Sequence, residues 1–420
     1  MSENTDDRLL GVFSGICWNV NNMIGSGIFV TPGIVWQSMG SPGAALMLWI
    51  GGAVITLSAS LSYTELGTRI SEQGGELAYL RKTIPRPHNL FSFLFSFMFL
   101  FAIRVGSIGA VSQAFAQYLV FSLSTSDDCT RYLQVNPKNG WKDINFWILK
   151  IAAIGSLLLV TIYHILSSNL ANRINNVLAC IKTITLFTIA ICGLANLKST
   201  YNNWGNLFEG TTLTIGSFST SLISVLFSYN GWNNLNYSLG EFRRPEARLA
   251  YSNLISVSIV SVLCRYIYDY RAQVEAKNPG YDFNEVIAGY FAEHIGGRQF
   301  GQALSFFVAV SAFGTLGALV WSGSRVVQRT AKMGYFLIGR KWLQVMKKDG
   351  TPVNTLKLQF IGCTLIIVAI GWVTSDPFKF LSDYSQYSYW IFYCLTGIGL
   401  LIWKSEPSKE KHFNAWWLAR

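Results

Sequence analysis

The sequence predicts an all-α polytopic membrane protein, and three observations support this fold class. The chain has 420 residues, of which 51% are hydrophobic and only 13% are charged, whereas soluble domains carry about 25% charge. Apolar runs recur along it, most of them near the ~20 residues that cross a bilayer as a helix. The basic residues, which give a net charge of +11, collect between these runs, as the positive-inside rule requires. This placement argues against a nucleic-acid partner.

We predict ten apolar segments between two polar tails, residues 1–10 and 404–420, and the basic loops place both tails on the cytoplasmic side. The segments cover residues 11–39, 43–66, 89–122, 145–165, 173–196, 213–241, 252–270, 300–327, 355–374 and 378–403. The seventh is anomalous, because its apolar stretch 254–264 has 11 residues, too few to cross the hydrocarbon as a helix.

The first segment carries Gly25-Ser26-Gly27 near its middle, with Pro32 after it. Glycines allow unusual backbone angles and close approach of a ligand, and an unwound backbone in lipid needs polar partners. The start of a second half-helix suits a carboxylate, and the carbonyls that end the first suit an ammonium. The alternative is a kink with glycines packed on a neighbouring helix. Three preceding asparagines, which lipid would penalise, favour the break: Asn19, Asn21 and Asn22.

The sixth segment is interrupted by a run of polar and aromatic residues, 229–234. Two interrupted helices, five segments apart, are the sequence signature of an inverted-repeat transporter with its site at mid-membrane. The two repeats would cover residues of about 11–196 and of about 213–403.

Five stretches in order carry a family resemblance: 24–32 (IGSGIFVTP), 63–67 with 74–76 (YTELG, GGE), 172–173 with Lys182, 229–233 (YNGWN) and 322–325 (SGSR). They resemble the amino acid–polyamine–organocation superfamily, and within it the L-type amino acid transporters and the fungal high-affinity methionine permeases. The resemblance covers roughly residues 10–400. It implies a leucine-transporter-like fold of five plus five helices, in which the first and sixth helices are broken around the substrate.

The resemblance also implies the substrate-binding residues. The 25–27 stretch would cradle the carboxylate, and the backbone carbonyls of Met23, Phe227, Ser228 and Asn230 would accept from the ammonium. Phe227 would close over the substrate from outside, although plain packing also accounts for an aromatic residue there. The complete predicted set is Met23, Ile24, Gly25, Ser26, Gly27, Ile28, Phe227, Ser228, Tyr229, Asn230, Gly231 and Trp232.

Lys182 lies ten residues into the fifth segment, between apolar neighbours. A charge at that depth is costly unless it is paired or faces a polar cavity. In sodium-independent relatives the matching lysine takes the place of a sodium ion and tethers the first helix, so the resemblance predicts sodium independence. The alternative is a lysine that extends to the inner interface.

Charged residues at the inner ends of segments two, six and eight would form an inner gate, or would anchor those ends at the interface. The predicted gate comprises Glu65, Arg69, Glu241, Arg243 and Arg325, with Glu76 nearby. Seven separate cysteines without metal spacing predict no metal site and no disulfide framework. Cys129, in an outer loop, is weak evidence for an accessory single-span subunit, which we do not expect.

The family that the chain resembles usually has twelve spans, so we expect the last two to be absent here and the seventh to be shortened. The leading interpretation is a secondary carrier, either uniporting, exchanging or coupled to protons, because no motif for ATP hydrolysis is present. The resemblance implies that it is sodium-independent and lies in the plasma membrane. Its substrate would be a neutral L-amino acid, because no acidic residue lies beside either break, and the resemblance to the fungal permeases favours methionine. The alternatives are an amino-acid-binding nutrient sensor, a transport-defective truncated carrier, and a membrane-embedded enzyme, for which clustered intramembrane acids or histidines are lacking.

Overall fold

The computed structural model is helical and describes most of the chain. The described residues are 12–70, 72–124, 144–195, 207–212, 214–241, 286–336, 338–347, 350–374 and 376–403. Within these ranges there is no β-strand, so the predicted all-α class is confirmed. Segment seven, Cys129 and Arg243 lie outside the described residues.

Helices occupy the predicted segments that lie within the described residues, and three of those segments, the first, third and sixth, are interrupted. Two short helices fall in predicted loops. In chain order they are α1 Val12–Met23, α2 Gly27–Met39, α3 Pro42–Arg69, α4 Glu76–Thr83, α5 Leu90–Met98, α6 Arg104–Leu123, α7 Ile144–Leu166, α8 Ser168–Ala195, α9 Ile215–Ser228, α10 Ile287–Met333, α11 Arg340–Gln344, α12 Val353–Ile370 and α13 Pro377–Ile402. A π-helical turn, Phe99–Ile103, joins α5 to α6, and a 3-10 helix, Asn234–Glu241, follows α9.

Five helices in the described ranges are long and apolar enough to cross a membrane. Two of these spans, Leu90–Leu123 and Gly296–Met333, have 72% of their apolar window buried, against 33–44% for the other three. The centre of the molecule is therefore built from α6 and α10, which pack on each other, and the less buried helices lie around them.

Local sequence explains where α2 ends and α3 begins. α2 ends at Gly40, which has the positive φ of +71° that glycine adopts without strain. Ser41 then caps α3, since its hydroxyl accepts from the Ala44 N–H at 3.3 Å, and Pro42 occupies the first helical position. The sharp turn sets α3 beside α2, where both pack on α9.

The contact of α3 with α9 depends on Gly52. A Cβ at this position would overlap the side chain of Val225, whereas a Cβ on the neighbouring Gly51 would meet nothing within 4 Å. Glycine therefore lets two apolar helices approach closely, as small residues do between membrane helices.

We expect Gly52→Val to lower the melting temperature of the purified protein in detergent, because overpacking of a tight contact costs about 1–3 kcal/mol. Gly51→Val is the matched control, since it makes the same change one residue away in open space. Equal melting temperatures for the two variants would contradict the importance of this contact.

Candidate functional site

The first break separates α1 from α2 in the middle of the predicted first span. Helical geometry stops at Met23 and resumes at Gly27, and the Gly25 N–H turns back to the Met23 carbonyl at 2.9 Å. The first N–H groups of any helix have no intrahelical acceptor. The start of α2 therefore presents backbone donors and the positive end of a helix dipole inside the protein.

The second break follows α9. The helix ends at Ser228, and the Asn230 N–H donates to the Phe227 carbonyl at 3.1 Å. Gly231 has a φ of +114°, a conformation that side chains disfavour. A 3-10 helix begins at Asn234. Because α9 ends at this break, it presents backbone carbonyls, whereas α2, which begins at the first break, presents N–H groups.

The two breaks lie against each other. A Cβ on Gly27 would lie 2.9 Å from the Ser228 Cα and 3.0 Å from the Phe227 Cδ1, which leaves room only for hydrogen. The Thr31 and Ser228 hydroxyls are 2.5 Å apart, and the Asn19 side-chain amide donates to the Trp232 carbonyl at 3.3 Å. These contacts place the donor end of one helix beside the acceptor end of the other.

A small cavity of about 30 Å³ lies at this junction, far below the ~300–1,000 Å³ of typical ligand pockets. Its lining contains no charged side chain. The lining residues are Asn22, Met23, Gly25, Ser26, Gly27, Ser107, Val111, Phe227, Asn230, Thr315 and Leu319. The cavity thus joins both breaks to α6 and α10, which belong to the two most buried of the five long apolar spans.

Three buried polar atoms in this lining have no hydrogen-bond partner among the described residues: Asn22 Oδ1, Ser26 Oγ and Ser107 Oγ. Buried polar atoms are almost always paired, and an unpaired one requires an explanation. Apolar side chains of Val111, Leu319 and Phe227 line the same cavity. The lining therefore offers both polar and apolar contacts to a small molecule.

Six of the twelve predicted binding residues line this cavity: Met23, Gly25, Ser26, Gly27, Phe227 and Asn230. The other six lie beside it and support it: Ile24, Ile28, Ser228, Tyr229, Gly231 and Trp232. Tyr229 packs on Trp49 of α3, and Trp232 packs on Tyr63 and Tyr393.

Sequence reasoning missed the lining residues of α6 and α10, namely Ser107, Val111, Thr315 and Leu319. The only sequence signal for this set is that two of its members, Ser107 and Thr315, are small polar residues within apolar runs.

Lys182 of α8 reaches the end of α1. Its Nζ donates to the carbonyls of Asn21 and Ile24, each at 2.6 Å, and to the Thr315 hydroxyl at 3.0 Å. Thr315 itself donates to the Asn21 carbonyl at 2.8 Å. The side chain is fully buried and does not extend to an interface. The ammonium therefore satisfies carbonyls that the break leaves without helical partners.

The predicted lid residue, Phe227, is 8% exposed, and its ring meets the edge of Phe378 from α13 with centroids 5.7 Å apart. Phe378 is the second residue of α13 and is itself buried. Phe227 lines the cavity, and its contact with Phe378 joins the end of α9 to the first turn of α13.

The charged residues predicted for the gate are placed as follows. Glu65 pairs with Arg69 on the same helix at 2.7 Å, and the Arg325 guanidinium lies over the Trp321 ring at 5.1 Å. The side chain of Glu241 and residue Arg243 are not among the described parts. An ion pair that the sequence did not suggest, Glu72 with Arg329 at 2.5 Å, joins the segment after α3 to α10.

Glu76, at the start of α4, lies between the spanning helices and is fully buried. Its Oε1 accepts from the Asn233 amide at 2.8 Å and from the Tyr237 hydroxyl at 3.2 Å. Both partners are neutral, so burial dominates and raises the pKa of Glu76 from 4.5 to about 7. This network ties α4 to the chain that follows the second break.

The sequence matches the amino acid permease family over residues 10–419. The chain belongs to this family. The match includes both breaks, Lys182 and the whole cavity lining. Family members and similar proteins are transporters, which confirms the prediction that this permease is not an enzyme.

Similar proteins are amino acid transporters of animals and yeast. The chain is 28% identical to the b(0,+)-type amino acid transporter 1 of Mus musculus, over 94% of this chain and 75% of that protein. It is 28% identical to the large neutral amino acids transporter small subunit 2 of Homo sapiens, over 94% and 70%. It is 25% identical to the high-affinity methionine permease of Saccharomyces cerevisiae, over 86% and 61%.

A solved structure with the same fold is that of MhsT in complex with L-phenylalanine. The TM-score is 0.60 at 16% sequence identity, and the match covers 94% of this permease and 90% of MhsT. At this identity the likeness shows the fold alone.

The network of Glu76 predicts a pH-dependent stability. The folded protein holds the Glu76 proton up to about pH 7, whereas the unfolded chain releases it near 4.5. The stabilisation is complete below pH 4.5 and is lost as the pH rises through about 7. We expect the melting temperature in detergent to fall between pH 5 and 8, and Glu76→Gln, which mimics the protonated form, to flatten that fall.

Glu209→Gln is the matched control, because Glu209 lies on an exposed turn and its replacement should leave the slope unchanged. A Glu76→Gln variant with the slope of the wild type would show that this carboxyl does not titrate in that range.

Proposed function

We propose that this permease transports a neutral L-amino acid, with methionine favoured, as a sodium-independent secondary carrier of the plasma membrane. The substrate binds at mid-membrane between the two breaks, within the predicted inverted repeats of about 11–196 and of about 213–403. Both chain ends are cytoplasmic, as the basic loops indicate. The transporters among similar proteins and the fold of MhsT support this proposal.

The observation that carries the proposal is the cavity, which offers separate partners for each part of an amino acid. The N–H groups that begin α2 and the Ser26 hydroxyl suit the carboxylate. The ammonium fits the carbonyl of Met23, which accepts from the Gly25 N–H and keeps a second lone pair for a further donor. The Asn22 Oδ1 is an additional acceptor for it. A free amino acid is the simplest molecule that needs both groups this close together.

The apolar part of the cavity lining determines which substrate side chains are accepted. Val111, Leu319 and Phe227 are apolar, and the lining contains no carboxylate that would pair with a cationic side chain. A charged side chain would lose its hydration without compensation, so a neutral, apolar side chain is favoured. Methionine fits because its flexible thioether adapts to irregular apolar walls, and the yeast relative is a methionine permease.

The position of the Lys182 ammonium supports sodium independence. Carbonyl and hydroxyl oxygens are the ligands of hard cations, and here the carbonyls of Asn21 and Ile24 and the Thr315 hydroxyl already surround Nζ. A sodium ion at these oxygens would stand beside a buried positive charge. Because the Lys182 ammonium is part of the protein, it stays at the position that an exchangeable sodium ion would otherwise occupy.

The first test is uptake of radiolabelled methionine by permease-deficient cells that express this chain. We expect saturable uptake that excess neutral amino acids compete away and that cationic ones do not. Gly27→Val should abolish uptake and methionine binding, because its side chain would occupy the contact with Ser228 and Phe227.

Gly155→Val, on α7 in open space, is the control and should transport normally. Normal binding by Gly27→Val would refute the site, and absence of uptake by correctly inserted wild-type protein would refute the transport function.

We expect Lys182→Ala to reduce the initial rate of uptake at least tenfold, because the carbonyls at the end of α1 lose two charge-assisted hydrogen bonds in a buried place. Surface expression should fall much less than the rate. Wild-type uptake should stay constant when choline replaces sodium in the medium.

Lys357→Ala, at an exposed position of α12, is the control for loss of a positive charge. Uptake by the wild type that requires sodium would refute the role of Lys182 as the resident cation, and an unchanged rate in Lys182→Ala would refute its role in holding α1.

A further inference from the structure

Trp18 lies on α1, five residues before the end of that helix at Met23, a distance of about 7.5 Å along the axis. Its side chain is 1% exposed. The indole ring stacks on Trp321 of α10, with centroids 4.2 Å apart and planes at 19°. The indole N–H donates to the Asn172 Oδ1 of α8 at 3.0 Å. One side chain thus joins the first half-helix to both of the helices beside it.

The surroundings of the stack are closed and apolar. Leu235 from the 3-10 helix and Ala318 from α10 complete a buried cluster with the two tryptophans. Trp321 follows two residues after Leu319, which lines the cavity. The cluster therefore lies between the cavity and the side on which α1 and α8 begin, the inner side according to the basic loops.

A second bond supports the same half-helix. The Asn21 side-chain amide donates to the Asn175 Oδ1 at 2.6 Å, and Lys182 bonds the Asn21 and Ile24 carbonyls. Asn172, Asn175 and Lys182 are three and seven residues apart on α8, so they lie on one helical face. The lysine holds the end of α1 next to the break, and Asn172 holds the part farther from it.

We propose that Trp18, Trp321 and Asn172 form an inner latch, which holds the first half-helix against α8 and α10 and whose release opens the cavity to the inner side. This inference rests on the proposed transport function. It assigns the closing of the inner side to an aromatic stack and a neutral hydrogen bond, in addition to the charged residues predicted for the gate.

The strength of these contacts suits a latch. A stacked aromatic pair and a neutral hydrogen bond each shift an equilibrium by roughly several-fold to tenfold. Together they favour the closed arrangement by roughly ten- to a hundredfold, a bias that substrate binding can match and reverse. An ion pair desolvated at the same place would be harder to break and to re-form.

The latch is tested by access to the cavity from the inner side. In full-length protein with its seven cysteines replaced by serine, Val111→Cys places one thiol in the cavity wall. A membrane-impermeant thiol reagent is applied to inside-out vesicles, and the labelling rate is measured beside methionine uptake. We expect Trp18→Ala to raise the labelling rate at least tenfold and to raise KM for uptake from outside.

Conservative variants separate the latch from a general loss of structure. Trp18→Phe keeps a stacking ring but loses the N–H, and Asn172→Ala removes the acceptor, so each should raise the labelling rate several-fold. Because both changes remove the same hydrogen bond, the double variant should equal the single ones. Trp372→Ala, which truncates an exposed tryptophan, is the control and should label like the parent.

Unchanged labelling in Trp18→Ala and Trp18→Phe, in protein that takes up methionine, would overturn the latch and leave the transport function intact. Fully additive effects of Trp18→Phe and Asn172→Ala would also overturn it. Absence of uptake and of methionine binding in the wild type would instead refute the transport function, and the latch with it.

Discussion

The centre of this permease depends on satisfying the backbone groups that a broken helix exposes inside a membrane. The carbonyls at the end of α1 need hydrogen-bond donors, and neither lipid nor bulk water supplies them there. The ammonium of Lys182 meets two of them, those of Asn21 and Ile24, and the hydroxyls of Thr315 and Ser311 share the same oxygens. With that end satisfied from α8 and α10, the donor end of the break is left for a ligand.

The second break has the complementary polarity. At α2 a helix begins and offers N–H groups, whereas at Ser228 a helix ends and offers carbonyls. Glycine at position 27 lets these two ends touch. An amino acid carries one anionic and one cationic group on a single carbon. In the proposed function, two helix ends of opposite polarity in contact therefore bind it without a charged side chain in the lining. The side walls then remain free to be apolar and to discriminate between substrates.

Much of this architecture could be predicted from the sequence. The breaks were expected at 25–27 and 229–234 because glycine and asparagine stand where apolar residues would otherwise continue, and the helices do stop at Met23 and Ser228. Lys182 could be recognised because a lone charge within an apolar run has few physical explanations. The pair of Glu65 with Arg69 follows from their spacing of four residues.

Other parts could not be predicted. α6 and α10 are buried on almost every side, so their apolar pattern has no polar face that would reveal which residues line the cavity. Ser107 and Leu319 were missed for this reason. The pairing of Glu72 with Arg329 joins residues 257 positions apart, and Trp18 with Trp321 is a contact of the same kind. Such pairs are set by how the helices assemble, which local sequence does not encode.

The π-helical turn at Phe99–Ile103 has a consequence for the cavity wall. Such a turn holds one residue more than an α-helical turn, and one residue corresponds to about 100° of rotation. It therefore sets the orientation of the whole 20-residue helix α6, including which side chains face the two breaks. Deletion of a single residue from this turn would rotate Ser107 and Val111 away from the cavity without changing the composition of α5 or α6. In the proposed function, the length of this segment therefore influences substrate preference as much as the identity of the residues that line the cavity.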